Sequence, residues 1–206
     1  MLTGALLAQT DVRFAARRRA RALLEPVYRA HPARAAFENF IATRFGRAYG
    51  AHVTHFLPHL LGMRDGLARW QAAAGYASAN AQTLFVEQYL DQPIERTLAA
   101  ALGRPIARTG IVEVGNLAAI SAGMARAIIP QLARHLHRLG YIWVVFTATR
   151  ALRNSFYRLG LRPLPLTRAD PARLADGGAS WGTYYDQDPV VMAGKIAHGV
   201  HAGENA

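Results

Sequence analysis

The chain has 206 residues, 51% hydrophobic and 18% charged, which is enough for one well-buried domain, short for two, and far from the composition of a disordered chain. It carries 24 Lys and Arg against 13 Asp and Glu, a formal charge of +11 that is almost wholly arginine, since Lys195 is the only lysine. That surplus suits an anionic partner such as a phosphorylated donor, an acidic carrier protein, a nucleic acid or an anionic membrane face. With no cysteine there is no disulfide framework, no zinc site of the Cys type and no thiol nucleophile. Residues 1–8 lack the charge and apolar length of a secretion leader, and no run approaches the ~18–20 apolar residues of a membrane span, so the expectation is a cytoplasmic protein with peripheral membrane contact at most.

Residues 11–50 read as helical, with Arg17, Arg18, Arg19 and Arg21 ahead of an apolar start and Pro32 as an interruption. Phe37, Phe40, Ile41, Phe45 and Tyr49 recur at the spacing of one helix face, and the arginine cluster reads as a solvated face. Short apolar runs broken by Pro58, Gly62, Gly66 and Gly75 predict hairpin strands over 53–76. Helix spacing returns over 82–102, where Pro93 opens a second helix that stops at Leu102 before Gly103. A strand over 109–114, a helix over 123–139 closed by Gly140, an apolar strand over 141–148, a helix over 150–159 ended by Gly160 and a strand over 161–166 follow. Past Asp176 the chain is turn-rich, then offers Trp181, Tyr184, Tyr185 and an apolar run over 190–193, with 199–206 read as frayed. The order predicts mixed α/β (α+β) architecture, one domain over 1–206 with a central mixed sheet flanked by helices. Its parts are a helical region up to residue 50, a sheet core over 53–170 and an extension over 176–206.

Glu113 is the most unusual residue, a carboxylate in the apolar strand IVEV. Burial is costly unless such a group is paired or used, and raises its pKa toward that of a base at neutral pH, so a catalytic base and a carboxylate satisfied by a core arginine stand level. Asn116 can bind a carbonyl oxygen or cap a turn. The string ISAGMARAII over 120–129 follows a strand and opens a helix, where free amides and the helix dipole favour an anion. Ala122, Gly123, Met124, Ala125 and Arg126, with Asn154 on the later helix, are therefore the candidate cofactor-binding residues, although ordinary strand-to-helix packing explains the small residues equally well. Tyr157, in NSFYRLG, is a candidate acid or a core residue with a wet hydroxyl. Glu87, Asp91 and Glu95 read as a solvated helix face, and Asp186 and Asp188, beside Tyr184 and Tyr185, as a polar turn ahead of the alternative that they order a loop over a pocket. His52, His55 and His59 lack a completing ligand and share no helical face, so no metal is expected; no GxSxG elbow supports a lipase.

Two of these segments resemble the GNAT acyltransferases. Gly123 and Ala125 match the small positions of that superfamily's pyrophosphate loop, with Ile120 where the loop begins with a polar residue, and Tyr157 with Gly160 and Leu161 matches its later helix. A longer resemblance runs through FLPHLLGM from Phe56, LFVEQYLDQPIE from Leu84, IVEVGNLA from Ile111, WVVFTATRALRNSFYRLGL from Trp143, ADPARL from Ala169 and WGTYYDQDPVV from Trp181, strings similar to those of the bacterial thermostable hemolysin family. It implies a GNAT-like domain laid out as in the acyl-homoserine-lactone synthases, with Glu113, Asn116 and Tyr157 as catalytic residues. The donor it implies is acyl-CoA or the phosphopantetheine of an acyl carrier protein, and the acceptor a small amine or amino acid. The family name implies instead a membrane-active, lipid-binding protein without enzymatic activity. Nucleic-acid binding rests on charge alone.

Overall fold

The computed structural model describes residues 24–202. The elements run β1 (Leu24–Val27), α1 (Arg34–Tyr49), β2 (His59–Arg64), β3 (Trp70–Ser78), a 3-10 turn (Phe85–Tyr89), α2 (Ile94–Leu102), β4 (Ile111–Ala119), α3 (Ala122–Arg138), β5 (Trp143–Ala148), α4 (Arg150–Arg158), β6 (Leu164–Arg168), a 3-10 segment (Ala179–Gln187), β7 (Val190–Lys195) and α5 (Ile196–Ala202). One seven-stranded sheet has the order β1-β2-β3-β4-β5-β7-β6. Only β4 and β5 are parallel; the other pairs are antiparallel. The mixed architecture read from the sequence is therefore the architecture found.

Several boundaries differ, each for a local reason. Residues 24–27 form an edge strand against β2 rather than helix, an arrangement that tolerates Pro26 because an edge strand leaves one side of its backbone unpaired. The arginines at 17–21 lie outside the described residues. The first half of 82–102 is only a 3-10 turn, whereas the second helix starts after Pro93 and ends at Gly103 in the left-handed conformation, as its sequence predicts. Strand β4 continues five residues beyond its predicted end. Residues 199–202, expected to fray, belong to α5.

Two faces cover the sheet. On one, Phe37 and Ile41 of α1 pack on Leu60, Ala73 and Ala118, and Ile94 and Leu98 of α2 pack with Ile111, Trp143 and Val145. On the other, Ile128, Leu132 and Leu136 of α3 pack with Val112 and Ile196, and Phe156 of α4 packs on Phe146. Burying these apolar stripes against the sheet is the main force holding the layers together.

Two irregularities in β4 position the site. The register against β3 shifts between Ala73 and Gly75, and Asn116 lies at φ 51°, so β4 holds one residue more than its partner across a bulge. A Cβ on Gly75 would come within 2.9 Å of Asn116 Oδ1, so the glycine makes room for the bulge. The parallel pairing with β5 spans only Ile111–Glu113 against Trp143–Val145. Beyond those three pairs the strands run on separately, β4 to Ala119 and β5 to Ala148.

Candidate active site

A cavity of about 610 Å³ occupies the gap between β4 and β5. Its wall takes Leu57, Phe85 and Tyr89 from one side of the sheet and Ile129, Leu132 and Phe156 from the other, so it passes through the sheet. Val114, Gly115, Asn116 and Leu117 line it from β4, and Phe146 and Thr147 from β5. The lining is mostly apolar, as expected of a site that holds a hydrocarbon chain.

Glu113 stands on this wall with 3% of its surface exposed. No arginine among the described residues satisfies it. Its carboxylate accepts the backbone N–H groups of Phe85 at 2.7 Å and Val86 at 3.1 Å, at the start of the 3-10 turn. Burial pushes its pKa up, the two N–H donors pull it back, the nearby Glu87 charge adds to the rise, and the outcome is about 7. A carboxyl poised there exchanges a proton readily at neutral pH.

The core arginine that sequence reasoning set against Glu113 exists, but it serves other acids. Arg108 pairs with Glu87 at 2.7 Å and Glu95 at 2.6 Å. Glu87 also accepts the N–H groups of Leu84 and Ile94 at 2.7 and 2.9 Å. Burial alone would raise Glu87, yet Arg108 and the two amides hold it down to about 2. Glu87 and Glu95 are thus no solvated face, being knotted to Arg108, whereas Asp91 is solvated as expected, its side chain 88% exposed and paired with Arg173 at the surface. Asp188 is likewise more than a polar turn, pairing with Arg153 at 3.1 Å and fixing the start of α4.

Asn116 lines the cavity, and its side chain is engaged twice: Oδ1 accepts the Leu57 N–H at 2.9 Å and Nδ2 donates to the His55 carbonyl at 3.2 Å. The bulge residue thereby holds the segment before β2 against the cavity. At the other mouth Ser121 caps α3, its Oγ accepting the Met124 N–H at 3.3 Å. Ala122 and Ala125 line the cavity there, no acidic residue occupies the first turn, and a Cβ on Gly123 would meet nothing nearer than Ser121 Oγ at 3.7 Å. The helix start is open and its positive end uncompensated, as an anion site requires. Met124 and Arg126 follow in the same turn, half-buried.

Tyr157 and Asn154 stand apart from the others. Both are exposed, Tyr157 by 48%, and neither lines the cavity; the Arg162 guanidinium lies 4.9 Å from the Tyr157 ring. Their neighbours Ser155 and Phe156 face the cavity instead.

Sequence reasoning missed an aromatic wall. Phe45 and Tyr49 of α1, His55, Phe85 and Tyr89, and Trp181 and Tyr184 of the late 3-10 segment all line the cavity. Phe85 lies 5.9 Å from Trp181, which lies 5.3 Å from Tyr184, and the Tyr89 and Tyr185 hydroxyls are 2.6 Å apart. The clustering of Trp181, Tyr184 and Tyr185 in sequence was the available signal. The remaining histidines are dispersed, His59 stacking on Tyr76, and no group of three or more metal-ligating side chains occurs among the described residues. Nor is any described helix long and apolar enough to cross a membrane.

No curated protein matches the chain. Among solved structures the fold is shared with TofI in an apo form (TM-score 0.59, 14% identity, covering 88% of this chain and 95% of that one). It is shared with FeeM, an N-acyl amino acid synthase from uncultured soil microbes (TM-score 0.58, 14% identity, 86% and 93% covered). It is shared also with BjaI, a CoA-dependent acyl-homoserine lactone synthase solved with SAM and isopentyl-CoA (TM-score 0.58, 12% identity, 89% of both chains). At such identities the likeness speaks for the fold, which is GNAT-like. The thermostable hemolysin family profile matches residues 27–200, and the chain therefore belongs to the thermostable hemolysin family.

Proposed function

We propose that the protein is an N-acyltransferase that moves an acyl group from a thioester, on CoA or an acyl carrier protein, to a small amine. The observation that carries this reading is Glu113: a nearly neutral-range carboxyl on the wall of an otherwise apolar cavity that opens where two parallel strands separate. The acyl chain lies along Leu132, Phe146 and Phe156, and the donor's phosphate rests on the open start of α3 at Ala122, Gly123 and Met124, flanked by Ala125 and Arg126. The amine nitrogen attacks the thioester carbonyl carbon, the C–S bond breaks, Glu113 takes the proton that nitrogen loses, and the departing sulfur takes one up. That last proton comes from water, since Tyr157 and Asn154 face solvent and do not line the cavity; Asn116 acts by holding residues 55–57 in place. The similarity of fold to FeeM and BjaI, whose names describe acyl transfer to amines, supports the reading. We take the reaction to be cytoplasmic, and the transfer step uses no metal.

The test incubates pure protein with long-chain acyl-CoA or acyl carrier protein and a pool of amines and amino acids, with products identified by mass. A new amide is expected, reduced at least about a hundredfold in Glu113→Gln and little changed in Tyr157→Phe. No amide from either donor, with dye release from anionic vesicles by the same sample, would replace this reading with the membrane-active one.

A further inference from the structure

The aromatic wall and Glu113 together describe the acceptor. Ring contacts run without a break from His55 to Phe85 (6.0 Å), on to Trp181 (5.9 Å) and Tyr184 (5.3 Å), and from Tyr184 to Tyr49 (5.3 Å). Phe85 is also the residue whose N–H holds Glu113, so the rings and the carboxylate share one compartment. A planar ring stacks on such a wall, and an ammonium group is attracted both to ring faces and to the single carboxylate.

Among the described residues the same compartment holds no arginine or lysine, and its one basic side chain is His55, stacked on Phe85 at 6.0 Å. The cationic side chains of the cavity wall stand away from the rings: Arg162 lies over Tyr157 beyond α4, and Lys195 is exposed beside Trp143 at the first residue of β5. Arg44, on the same helix as Phe45 and Tyr49, donates to the carbonyls of Ala119 and Ile120. A carboxylate brought next to Glu113 would meet a like charge with no guanidinium or ammonium partner among the described residues.

We infer that the acceptor is an aromatic primary amine without a carboxylate, an arylalkylamine rather than an amino acid. The inference rests on the acyltransferase reading for the identity of the compartment, but it is a statement about binding and can be read without turnover. The full chain is titrated with phenethylamine, phenylalanine and hexylamine, followed by tryptophan fluorescence and melting temperature, and each compound is then offered with acyl-CoA and with acyl carrier protein.

Phenethylamine is expected to bind at least about tenfold more tightly than either phenylalanine or hexylamine. Tyr49→Arg, which adds a cation to the wall, is expected to bring phenylalanine level with the amine. Phenylalanine binding as well as phenethylamine to the unaltered chain, or no binding by any aromatic compound, would overturn the inference. Amide formation from hexylamine in that second case would leave acyl transfer standing. Selective binding of phenethylamine without product from any donor would uphold the compartment's preference for an arylalkylamine as ligand and remove the acyl-transfer reading together with the ligand's role as acceptor.

Discussion

Glu113 and Glu87 are both anchored by backbone amides at the start of one 3-10 turn, yet their pKa values shift in opposite directions. The difference is Arg108, which reaches Glu87 and not Glu113. For Glu113 the folded pKa, about 7, lies above the unfolded reference of 4.5, so its contribution to stability is full below about pH 4.5 and lost as pH rises through 7. For Glu87, at about 2, the contribution is present above about pH 4.5 and lost as pH falls toward 2. Denaturant titrations between pH 8 and pH 5 should therefore show wild type gaining stability on acidification and Glu113→Gln lacking that gain. Product formation should rise with pH through about 7 in wild type, and that limb should be absent in the variant. Removing the shared cation by Arg108→Ala leaves two half-buried carboxylates unpaired, an expected loss of about 2 kcal/mol and a fall in Tm of roughly 4–8 °C by calorimetry. The sequence marked Glu113 as anomalous because an acid interrupts an apolar strand. It could not assign the partner, because the choice between a guanidinium and two amide groups depends on where residues 84–86 turn.

At the level of elements, the helices that begin and end on Pro, Ser, Thr or Gly were legible: Pro93 and Gly103 bound α2, Thr149 caps α4 through the Leu152 N–H, and Gly140 and Gly160 turn left-handed after α3 and α4. What was not legible has a common cause. Strand β1 is four residues with a proline at the sheet edge, and β4 looks finished at Val114 because Gly115 and Asn116 break its pattern. Gly115 is the last pair before the bulge and Asn116 its first residue, so the feature that hides the rest of the strand is the one that shapes the cavity. The late 3-10 segment shows the same dependence on long-range packing. Gly182, at φ 53° and ψ −129°, lies so close to the end of α1 that a Cβ would collide with the Tyr49 carbonyl. Gly182→Ala should lift Trp181 and Tyr184 off α1 and abolish arylalkylamine binding. Limited proteolysis near residues 177–188 should rise at the same time, whereas an unchanged cleavage pattern would show that the contact does not hold the segment.

For the whole molecule the +11 charge has a kinetic meaning in the proposed reaction. A highly acidic carrier protein is steered by a field that salt screens over about 8–10 Å at 0.1–0.15 M, while a bound small donor depends mainly on its local contacts. Raising NaCl from about 50 to 300 mM should lower kcat/KM for the carrier-bound donor by roughly tenfold and for acyl-CoA by much less; equal responses would show that the surface charge does not select between donors. Composition alone exposed this charge, and periodicity exposed the class of fold. The cavity was beyond both, because it comes from the separation of two strands that each look regular in sequence.

The three-residue seam between β4 and β5 divides the sheet into two plates, β1 to β4 and β5 with β7 and β6, each internally well hydrogen-bonded. Below the seam the plates are clasped; above it they face each other across empty volume. A bound hydrocarbon chain is then structurally a wedge, supplying between the plates the contacts that backbone pairing does not. The empty protein should breathe along this line, with the amides of Leu117 and Ala118 exchanging hydrogen faster than those of Val112 and Glu113. Filling the gap with a long acyl chain should slow the first pair and leave the second unchanged, so that the substrate completes the architecture that recognises it.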